Sequence, residues 1–390
     1  MSDKIRTVTA GALLTAASTG VFANGSAVFM AAVCADLGFA RGGFALINSV
    51  SLIFSMISLV FFGRLLQAAN IKLTVGISAA VCAAVPLFYS FCGALWQFYL
   101  AAALNGIFVN GITLLTVAAL LERQQIKAKG SLLGASFAGA GIVSFIMLPL
   151  IQKTVERFGW RWGYRLQSAV GAILLAAAVL LIKNAAPLSS DDSKNKDFPI
   201  KQLLTNRQFL LAAAGLFLAN GANVALFNHT AANLSDLGFA PEKAAMTLSF
   251  AALISSLSKP CYGITLDRAG LKAGAVSLGS AIAATAAAAL MLNKISAAFY
   301  LYPLLLSFCA CANSIPANAF ASRLFGRQDF AAAASLFTFA ATAGSAVGAP
   351  LAGVIFDKFG SYDPAWWGCM AAGAASAALL AFAAQSQKSI

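Results

Sequence analysis

The chain has 390 residues, of which 60% are apolar and only 10% are charged. An ordinary soluble domain carries about 25% charged residues, so this composition excludes one and indicates a membrane protein. The net charge is +13. Because the basic residues form short clusters at the edges of apolar runs, we attribute this charge to membrane topology and anionic lipid. We therefore expect a lipid bilayer around the chain and no nucleic-acid partner.

Apolar stretches of about 20 residues or more recur along the chain, each long enough to cross about 30 Å of hydrocarbon as a helix. A transmembrane β-barrel would instead show alternation over about ten residues. We predict an all-α membrane protein with twelve transmembrane helices. In chain order, the predicted segments are 11–34, 43–64, 73–93, 97–121, 130–152, 164–184, 208–234, 243–265, 273–293, 296–321, 330–356 and 365–385.

The distribution of lysine and arginine predicts the orientation of these segments. With both termini inside, the inner loops hold 17 of the 26 basic residues and the outer loops hold eight. We therefore predict a multi-pass protein of the cytoplasmic (inner) membrane with both termini in the cytoplasm.

The chain also repeats itself. The sequence Asp-Leu-Gly-Phe-Ala at 36–40 returns at 236–240. The only sustained polar stretch, 185–207, lies midway along the chain, between segments six and seven. We interpret this stretch as a cytoplasmic linker between two pseudo-symmetric six-helix lobes, 1–184 and 208–390. Parallel repeats of this kind are typical of alternating-access transporters, which bind substrate near the midplane where the repeats meet.

Asparagines recur within matching segments of the two copies. Interhelical hydrogen bonding and substrate contact both remain open for them, because an amide buried in a bilayer needs a partner. The candidate substrate-binding asparagines are Asn24 in segment one, Asn105 and Asn110 in segment four, Asn220 and Asn223 in segment seven, and Asn313 and Asn318 in segment ten.

Segment seven also contains His229, the only histidine of the chain. A protonatable imidazole could carry a proton together with the substrate. The alternative is a hydrogen-bonded packing residue, and the sequence leaves both open.

Segment eight contains a lysine where the first copy has an apolar residue: Leu59 of the first copy becomes Lys259. A charge at the centre of a membrane helix costs about 2.5–3.5 kcal/mol on insertion scales, so it normally faces a cavity or a partner. Lys259 could reach the headgroups with its long side chain, or it could be the counter-charge of a bound anion. The twelve predicted segments contain no aspartate or glutamate in their cores, which favours the second interpretation.

The loop after segment eight carries a family signature. Residues 263–272, Gly-Ile-Thr-Leu-Asp-Arg-Ala-Gly-Leu-Lys, resemble the major facilitator superfamily loop Gly-x-x-x-Asp-Arg-x-Gly-x-Lys/Arg. The resemblance implies a gating role for Gly263, Asp267 and Arg268 at the cytoplasmic side. In the first copy Gln67 replaces the aspartate, so the resemblance points to Asp267 as the latch residue.

Within that superfamily, three stretches resemble the monocarboxylate transporters and the related oxalate:formate exchangers. Ser-Lys-Pro-Cys-Tyr-Gly at 258–263 is similar to Arg-Pro-x-x-Gly, Phe-Gly-Trp-Arg at 158–161 matches directly, and Gly-Ala-Pro-Leu-Ala-Gly at 348–353 is similar to Gly-Pro-Pro-Leu-x-Gly. The resemblance implies that Lys259 occupies the position of a substrate-binding arginine. Two family charges are absent: Ser255 stands in place of an embedded aspartate, and no lysine lies near Asn24.

These features predict a secondary active transporter that moves a small organic anion, a lactate-, pyruvate- or formate-like monocarboxylate, by rocker-switch alternating access. Proton symport and anion exchange both remain open. The alternative is a major facilitator exporter of amphiphilic drugs. A receptor or scaffold would be expected to carry sizeable soluble domains or long tails. No nucleophile–base pair, metal-ligand cluster or cofactor motif is evident, so we expect no enzyme activity and no cofactor, and we expect the protein to act as a monomer.

Overall fold

The computed structural model of the chain is almost entirely helical, and it describes residues 3–68, 70–113, 116, 120, 129–182, 203, 205–292, 294–313 and 315–385. Long apolar sequences become helices because a helix satisfies its own backbone hydrogen bonds where water is absent. The helices are α1 (Asp3–Thr15), α2 (Phe29–Leu37), α3 (Arg41–Ala68), α4 (Ile71–Tyr89), α5 (Leu95–Val109), α6 (Lys129–Phe158), α7 (Trp160–Leu181), α8 (Arg207–Asp236), α9 (Pro241–Met291), α10 (Ser296–Cys309), α11 (Pro316–Phe359) and α12 (Asp363–Gln385).

Each of the twelve predicted segments falls on one or more of these helices. Within the described residues, nine helices are long and apolar enough to cross a membrane, or ten if one bent pair is counted as a single span. The helix α9 carries predicted segments eight and nine, and α11 carries the end of segment ten and all of segment eleven. The prediction of an all-α, multi-helix membrane protein is therefore confirmed.

The break between segments eight and nine lies at Gly270, which has φ 83° and ψ 177° inside α9. A residue with a side chain rarely adopts this backbone conformation, whereas glycine adopts it at little cost. Gly270 is the second glycine of the loop signature, and it allows the chain to turn between segments eight and nine.

Three of the predicted segments contain stretches that depart from α-helical geometry. Between α1 and α2 the chain forms a π-helix at Ala16–Ala23 and a 3₁₀ turn at Ser26–Val28. The helices α5 and α10 give way to 3₁₀ turns at Asn110–Ile112 and Ala310–Asn313. Apolar composition cannot distinguish a broken helix from an intact one. The local signal was the asparagine at or beside each break, because asparagine is a weak helix former.

The described residues form two compact units. The first comprises the described parts of Met1–Phe39, Leu46–Asp192 and Leu234–Leu253. The second comprises those of Ala40–Ala45, Ser193–Asn233 and Ile254–Ile390. The lobe boundaries from the sequence, 1–184 and 208–390, stay a prediction. Most of the predicted linker 185–207 lies outside the described residues.

The first unit is held together by a core of small and branched apolar side chains. Leu14 of α1, Ile71 and Val75 of α4, and Leu175 and Ala178 of α7 are at most 1% exposed and belong to one cluster. The small side chains allow the helices to approach closely, which is how membrane helices gain packing energy when lipid is as apolar as the core.

Two glycines of this unit offer a matched test of such packing. A Cβ atom on Gly106 of α5 would collide with the Ser51 carbonyl of α3 and lie 2.8 Å from Phe54 Cβ. A Cβ atom on Gly76 of α4 would meet only Val179, at 3.9 Å. We expect Gly106→Ala to destabilise the protein by about 1–3 kcal/mol through overpacking, and Gly76→Ala to be neutral. Thermal unfolding in detergent measures the difference, and equal melting temperatures for the two variants would contradict the packing described.

Candidate functional site

Lys259 lies on α9 with a half-buried side chain, and the preceding residue ties it to a neighbouring helix. Ser258 is 2% exposed and donates its hydroxyl to the Ser307 carbonyl of α10, at 2.9 Å. The Cys311 Sγ lies 3.8 Å from Ser258 Oγ. These contacts hold Lys259 beside the point at which α10 ends.

The turn after α10 is held by amides from α8. Asn220 is 2% exposed, and its Nδ2 donates to the Ala312 carbonyl at 3.2 Å and to the Leu216 carbonyl at 2.9 Å. Asn223 Nδ2 donates to Asn313 Oδ1 at 3.1 Å. The chain bends by 45° between 298–313 and 316–325. Because a bend removes helical hydrogen bonds, the side chain of Asn220 supplies a donor that the backbone no longer provides.

The second unit therefore brings Lys259, Asn220, Asn223 and Asn313 to one turn of broken helix. Asn313 is exposed, whereas Asn220 is committed to two backbone carbonyls. A cation, an exposed amide and an interrupted helix are the groups with which transporters hold charged substrates near the membrane midplane. The ammonium group has three donors and no acceptor, so it suits an anionic or carbonyl oxygen. Asn318, also predicted, lies exposed on the first turn of α11.

The predicted asparagines of the first unit have hydroxyl and carbonyl partners within that unit. Asn24 Nδ2 donates to Ser144 Oγ at 2.9 Å, and Asn105 Nδ2 donates to Ser51 Oγ at 3.0 Å. Both side chains are half-buried. Asn24 and Asn105 thus retain partly accessible polar atoms and stay predicted substrate contacts.

Asn110 is bonded more completely than the other asparagines of this unit. It is 7% exposed, and its Nδ2 donates to the Ser55 carbonyl and to Ser58 Oγ, each at 2.8 Å. Its own backbone carbonyl accepts from Thr116 Oγ1 at 3.2 Å. Because both amide hydrogens are used inside the protein, the structure favours the packing interpretation for Asn110.

His229 is also fully committed to partners inside its unit. It is 0% exposed, its Nε2 lies 2.8 Å from the Ala349 carbonyl, and its Nδ1 lies 2.8 Å from the Tyr362 hydroxyl. A carbonyl only accepts, so Nε2 carries a proton and donates. In the neutral imidazole, Nδ1 then accepts from the Tyr362 hydroxyl. The Tyr362 oxygen accepts in turn from Arg41 Nη1 at 3.0 Å. Both ring nitrogens of a neutral His229 thus have partners inside the protein. This bonding favours a packing role for His229 over a role as proton carrier.

The predicted gating residues lie around the break of α9. The Asp267 carboxylate accepts from Arg323 Nη2 at 2.9 Å, and Arg323 Nη1 donates to the Leu266 carbonyl at 2.6 Å. Arg268 is exposed, and the space beside Gly263 is open. The Asp267 side chain is 80% exposed, so the ion pair contributes little to stability. The Asp267–Arg323 ion pair connects α9 to α11 near the break at Gly270.

The sequence did not single out several side chains that shape these sites. Gln167, 2% exposed, donates to the Val21 carbonyl at 2.8 Å where the first segment is π-helical. Arg323 is the partner of Asp267, and Tyr362 is a partner of His229. Cys311 lies beside Ser258, which precedes Lys259. A polar residue inside an apolar segment was a usable signal for Gln167. The partner of such a residue depends on which helices pack together. Among the described residues, no group of three or more histidine, cysteine, aspartate or glutamate side chains could hold a metal ion.

A family comparison decides the membership of the chain. The family model described as Major Facilitator Superfamily matches residues 11–254 and 230–389. The chain belongs to the major facilitator superfamily. The resemblance of its loop signature to that superfamily is thereby confirmed.

Several relatives of this major facilitator protein are monocarboxylate transporters. The chain is 27% identical over 280 residues to monocarboxylate transporter 13 of Rattus norvegicus, covering 71% of this chain and 64% of the relative. It is 25% identical over 171 residues to monocarboxylate transporter 11 of Homo sapiens, covering 43% of this chain and 36% of the relative. The matched region thus spans less than two thirds of the length of these relatives. The predicted relation to the monocarboxylate branch is confirmed.

Solved structures of the same fold are available for comparison. A mutant of the nucleoside transporter NupG superposes with a TM-score of 0.81 at 13% identity, covering 99% of each chain. A bacterial homolog to the human lysosomal transporter Spinster, inward-facing and occupied, superposes with a TM-score of 0.73 at 12% identity. The match covers 98% of this chain and 94% of that chain. At such identity the likeness shows the fold alone. Because the chain belongs to the major facilitator superfamily and its curated relatives are transporters, the prediction of a transporter rather than an enzyme is confirmed.

The bonding of His229 makes a test of the packing interpretation possible. We expect Tyr362→Phe to destabilise the protein by about 1–3 kcal/mol, because it leaves His229 Nδ1 buried without a donor. Tyr300→Phe is the control, since Tyr300 is 77% exposed. Thermal unfolding in detergent compares the two variants. A loss no larger for Tyr362→Phe than for Tyr300→Phe would show that the hydroxyl is not needed by His229.

Proposed function

We propose that this major facilitator protein transports a small monocarboxylate, with Lys259 as the counter-charge of the carboxylate. The observation that carries the proposal is the position of Lys259. It lies half-buried on α9, within the predicted membrane segment 243–265. The adjacent Ser258 contacts Cys311 of the turn Ala310–Asn313, in which Asn313 accepts a hydrogen bond from Asn223. The names of the curated relatives, monocarboxylate transporters, support the same substrate class.

The choice of lysine affects how the anion is held. A guanidinium group forms two parallel hydrogen bonds with a carboxylate, whereas an ammonium group acts as a compact point charge. Binding should therefore depend on a single negative charge and be tolerant of carboxylate orientation. One ammonium group matches one carboxylate, which favours monocarboxylates over dicarboxylates. Asn223 and Asn313 would contact the remaining polar groups of the substrate.

The same charge favours anion exchange as the mode of transport. A membrane-embedded ammonium ion is costly, and a bound carboxylate lowers that cost. The conformational change of an alternating-access cycle should then be faster with an anion bound than without one. Asp267, Arg323 and Arg268 would connect and release α9 and α11 during this cycle. We place the protein in the cytoplasmic membrane as a monomer with both termini inside, as the distribution of basic residues favours.

The first test is uptake of labelled lactate, pyruvate and formate into proteoliposomes preloaded with the unlabelled anion. Lys259→Gln should reduce the initial rate about tenfold or more, because a hydrogen bond to a charged group contributes about 1.5–3 kcal/mol. Lys259→Arg should restore uptake. The control is Lys243→Gln, which removes an exposed lysine from the same helix, outside the loop signature, and should leave uptake unchanged.

Equal uptake by the Lys259→Gln and Lys243→Gln proteins would show that Lys259 is not the counter-charge of the anion. If wild type takes up none of the three anions but its expression raises resistance to amphiphilic drugs, the exporter alternative replaces the proposal. Stimulation by preloaded anion distinguishes exchange from uniport, and an empty-liposome arm with an inward proton gradient detects symport.

A second test addresses the proton. His229→Gln should leave the ratio of uptake with and without an inward proton gradient equal to that of wild type, because both ring nitrogens of His229 are used in packing. The ratio, not the absolute rate, is the readout, since the substitution also alters a buried network. A gradient effect present in wild type and lost in His229→Gln would assign the proton to His229.

A further inference from the structure

The second unit contains an apolar groove formed by three helices, separate from the surroundings of Lys259. It lies among α8, α11 and α12, and has a cavity volume of about 260 Å³. Gly221 and Gly348 belong to its lining, and a Cβ atom on Gly348 would collide with the Gly221 carbonyl. The two helices therefore cross without side chains between them. The missing side chains leave a narrow channel beside the crossing.

The groove is open on the outside of these helices. Val347 and Leu351 of α11 line it and are 50% and 55% exposed. Gly368 of α12 also lines it, is exposed, and has open space where a Cβ atom would lie. All three helices are candidate membrane spans, so the surface onto which the groove opens is a surface for lipid. The lining carries no charged side chain.

One stripe of α11 continues from the groove to a lysine. Gly344, Val347, Leu351 and Ile355 line the groove at helical spacing, and Lys358 follows in the last turn of the helix. Residues spaced in this way lie on one face. From Gly344 to Lys358 the stripe is about 21 Å long at 1.5 Å per residue. Lys358 is exposed, and Trp367 of α12, adjacent to Gly368, is 58% exposed.

We propose that this groove binds one acyl chain of a membrane phospholipid, whose phosphate contacts Lys358. The length suits an extended chain that starts at the membrane edge. Lysine and tryptophan are the residues that anchor to headgroups at such an edge. A volume of 260 Å³ is below the range of about 300–1,000 Å³ typical of pockets for drug-sized ligands, so a single chain fits better than a bulky amphiphile.

Two carboxylates near Lys358 limit the charge of the headgroup that the site can accept. Asp357 accepts from the backbone nitrogens of Arg41 and Gly42, at 2.9 and 2.8 Å, and is therefore already engaged. Asp363, in the first turn of α12, is exposed and repels a second negative charge. The site thus favours a phospholipid with one phosphate charge over one that carries several.

The test uses full-length protein reconstituted in nanodiscs that contain phosphatidylcholine with a photoreactive diazirine midway along one acyl chain. Peptide mass spectrometry should place the cross-links preferentially on the groove residues of α8, α11 and α12. Gly368→Leu adds a side chain to the groove lining at a position where a Cβ atom meets no protein atom within 4 Å, and it should reduce that labelling about tenfold. Gly76→Leu on α4 is the control and should leave groove labelling unchanged, since Gly76 lies outside the groove and a Cβ atom there would meet only Val179, at 3.9 Å.

A second variant tests the headgroup contact. Lys358→Gln should weaken labelling of the groove about fivefold at limiting probe, as expected for one basic residue near a phosphate. Cross-links spread evenly over all membrane-facing helices, labelling unaffected by Gly368→Leu, or cross-links of the groove to a second copy of the chain would each overturn the proposal. Thermal unfolding of Gly368→Leu confirms that a loss of labelling does not come from unfolding.

Discussion

Backbone polar groups cannot be left without hydrogen bonds inside hydrocarbon, and the rest of this structure depends on that constraint. It makes the apolar segments helical, and it also controls where a helix can be interrupted. Each of the three segments that depart from α-helical geometry has, in such a stretch, a carbonyl that accepts a hydrogen bond from a side chain. Gln167 donates to the Val21 carbonyl at the π-helical stretch, Thr116 donates to the Asn110 carbonyl, and Asn220 donates to the Ala312 carbonyl. The asparagine and glutamine side chains are therefore part of the backbone bonding as much as they are candidates for substrate contact.

The interruption after α10 differs from the others because it adjoins a cation. Ser58 and Ser258 occupy equivalent places in the two copies, and each donates to a carbonyl of the neighbouring helix, Gly106 in one case and Ser307 in the other. The first copy continues with Leu59, and the second with Lys259. The same helix-to-helix hydrogen bond thus positions an apolar side chain in one unit and an ammonium group in the other. This difference between otherwise similar frameworks is what gives the second unit its proposed role in binding an anion.

The bonding also separates residues that the sequence groups together. Asn110 and Asn313 are both asparagines near a helix break, yet Asn110 is 7% exposed with both amide hydrogens used, whereas Asn313 is exposed. His229 is held between Ala349 and Tyr362, which no local pattern indicates. The lipid groove arises in a similar way. Its glycines and alanines occur in most segments of the chain, and only the crossing of α8 with α11 creates a channel from them.

Sequence alone determined the features that depend on composition and helical period: the membrane class, the positions of the crossing helices, the internal repeat, and the embedded Lys259. These follow from solvation and backbone geometry, which act within a segment. Tertiary structure decided what depends on contacts between distant segments. It determined that Lys259 adjoins a 3₁₀ turn, that Asp267 pairs with Arg323, and that segments one, four and ten contain stretches that are not α-helical. Apolar sequence looks the same in a straight helix and in an interrupted one, because the partners that stabilise an interruption come from elsewhere in the chain.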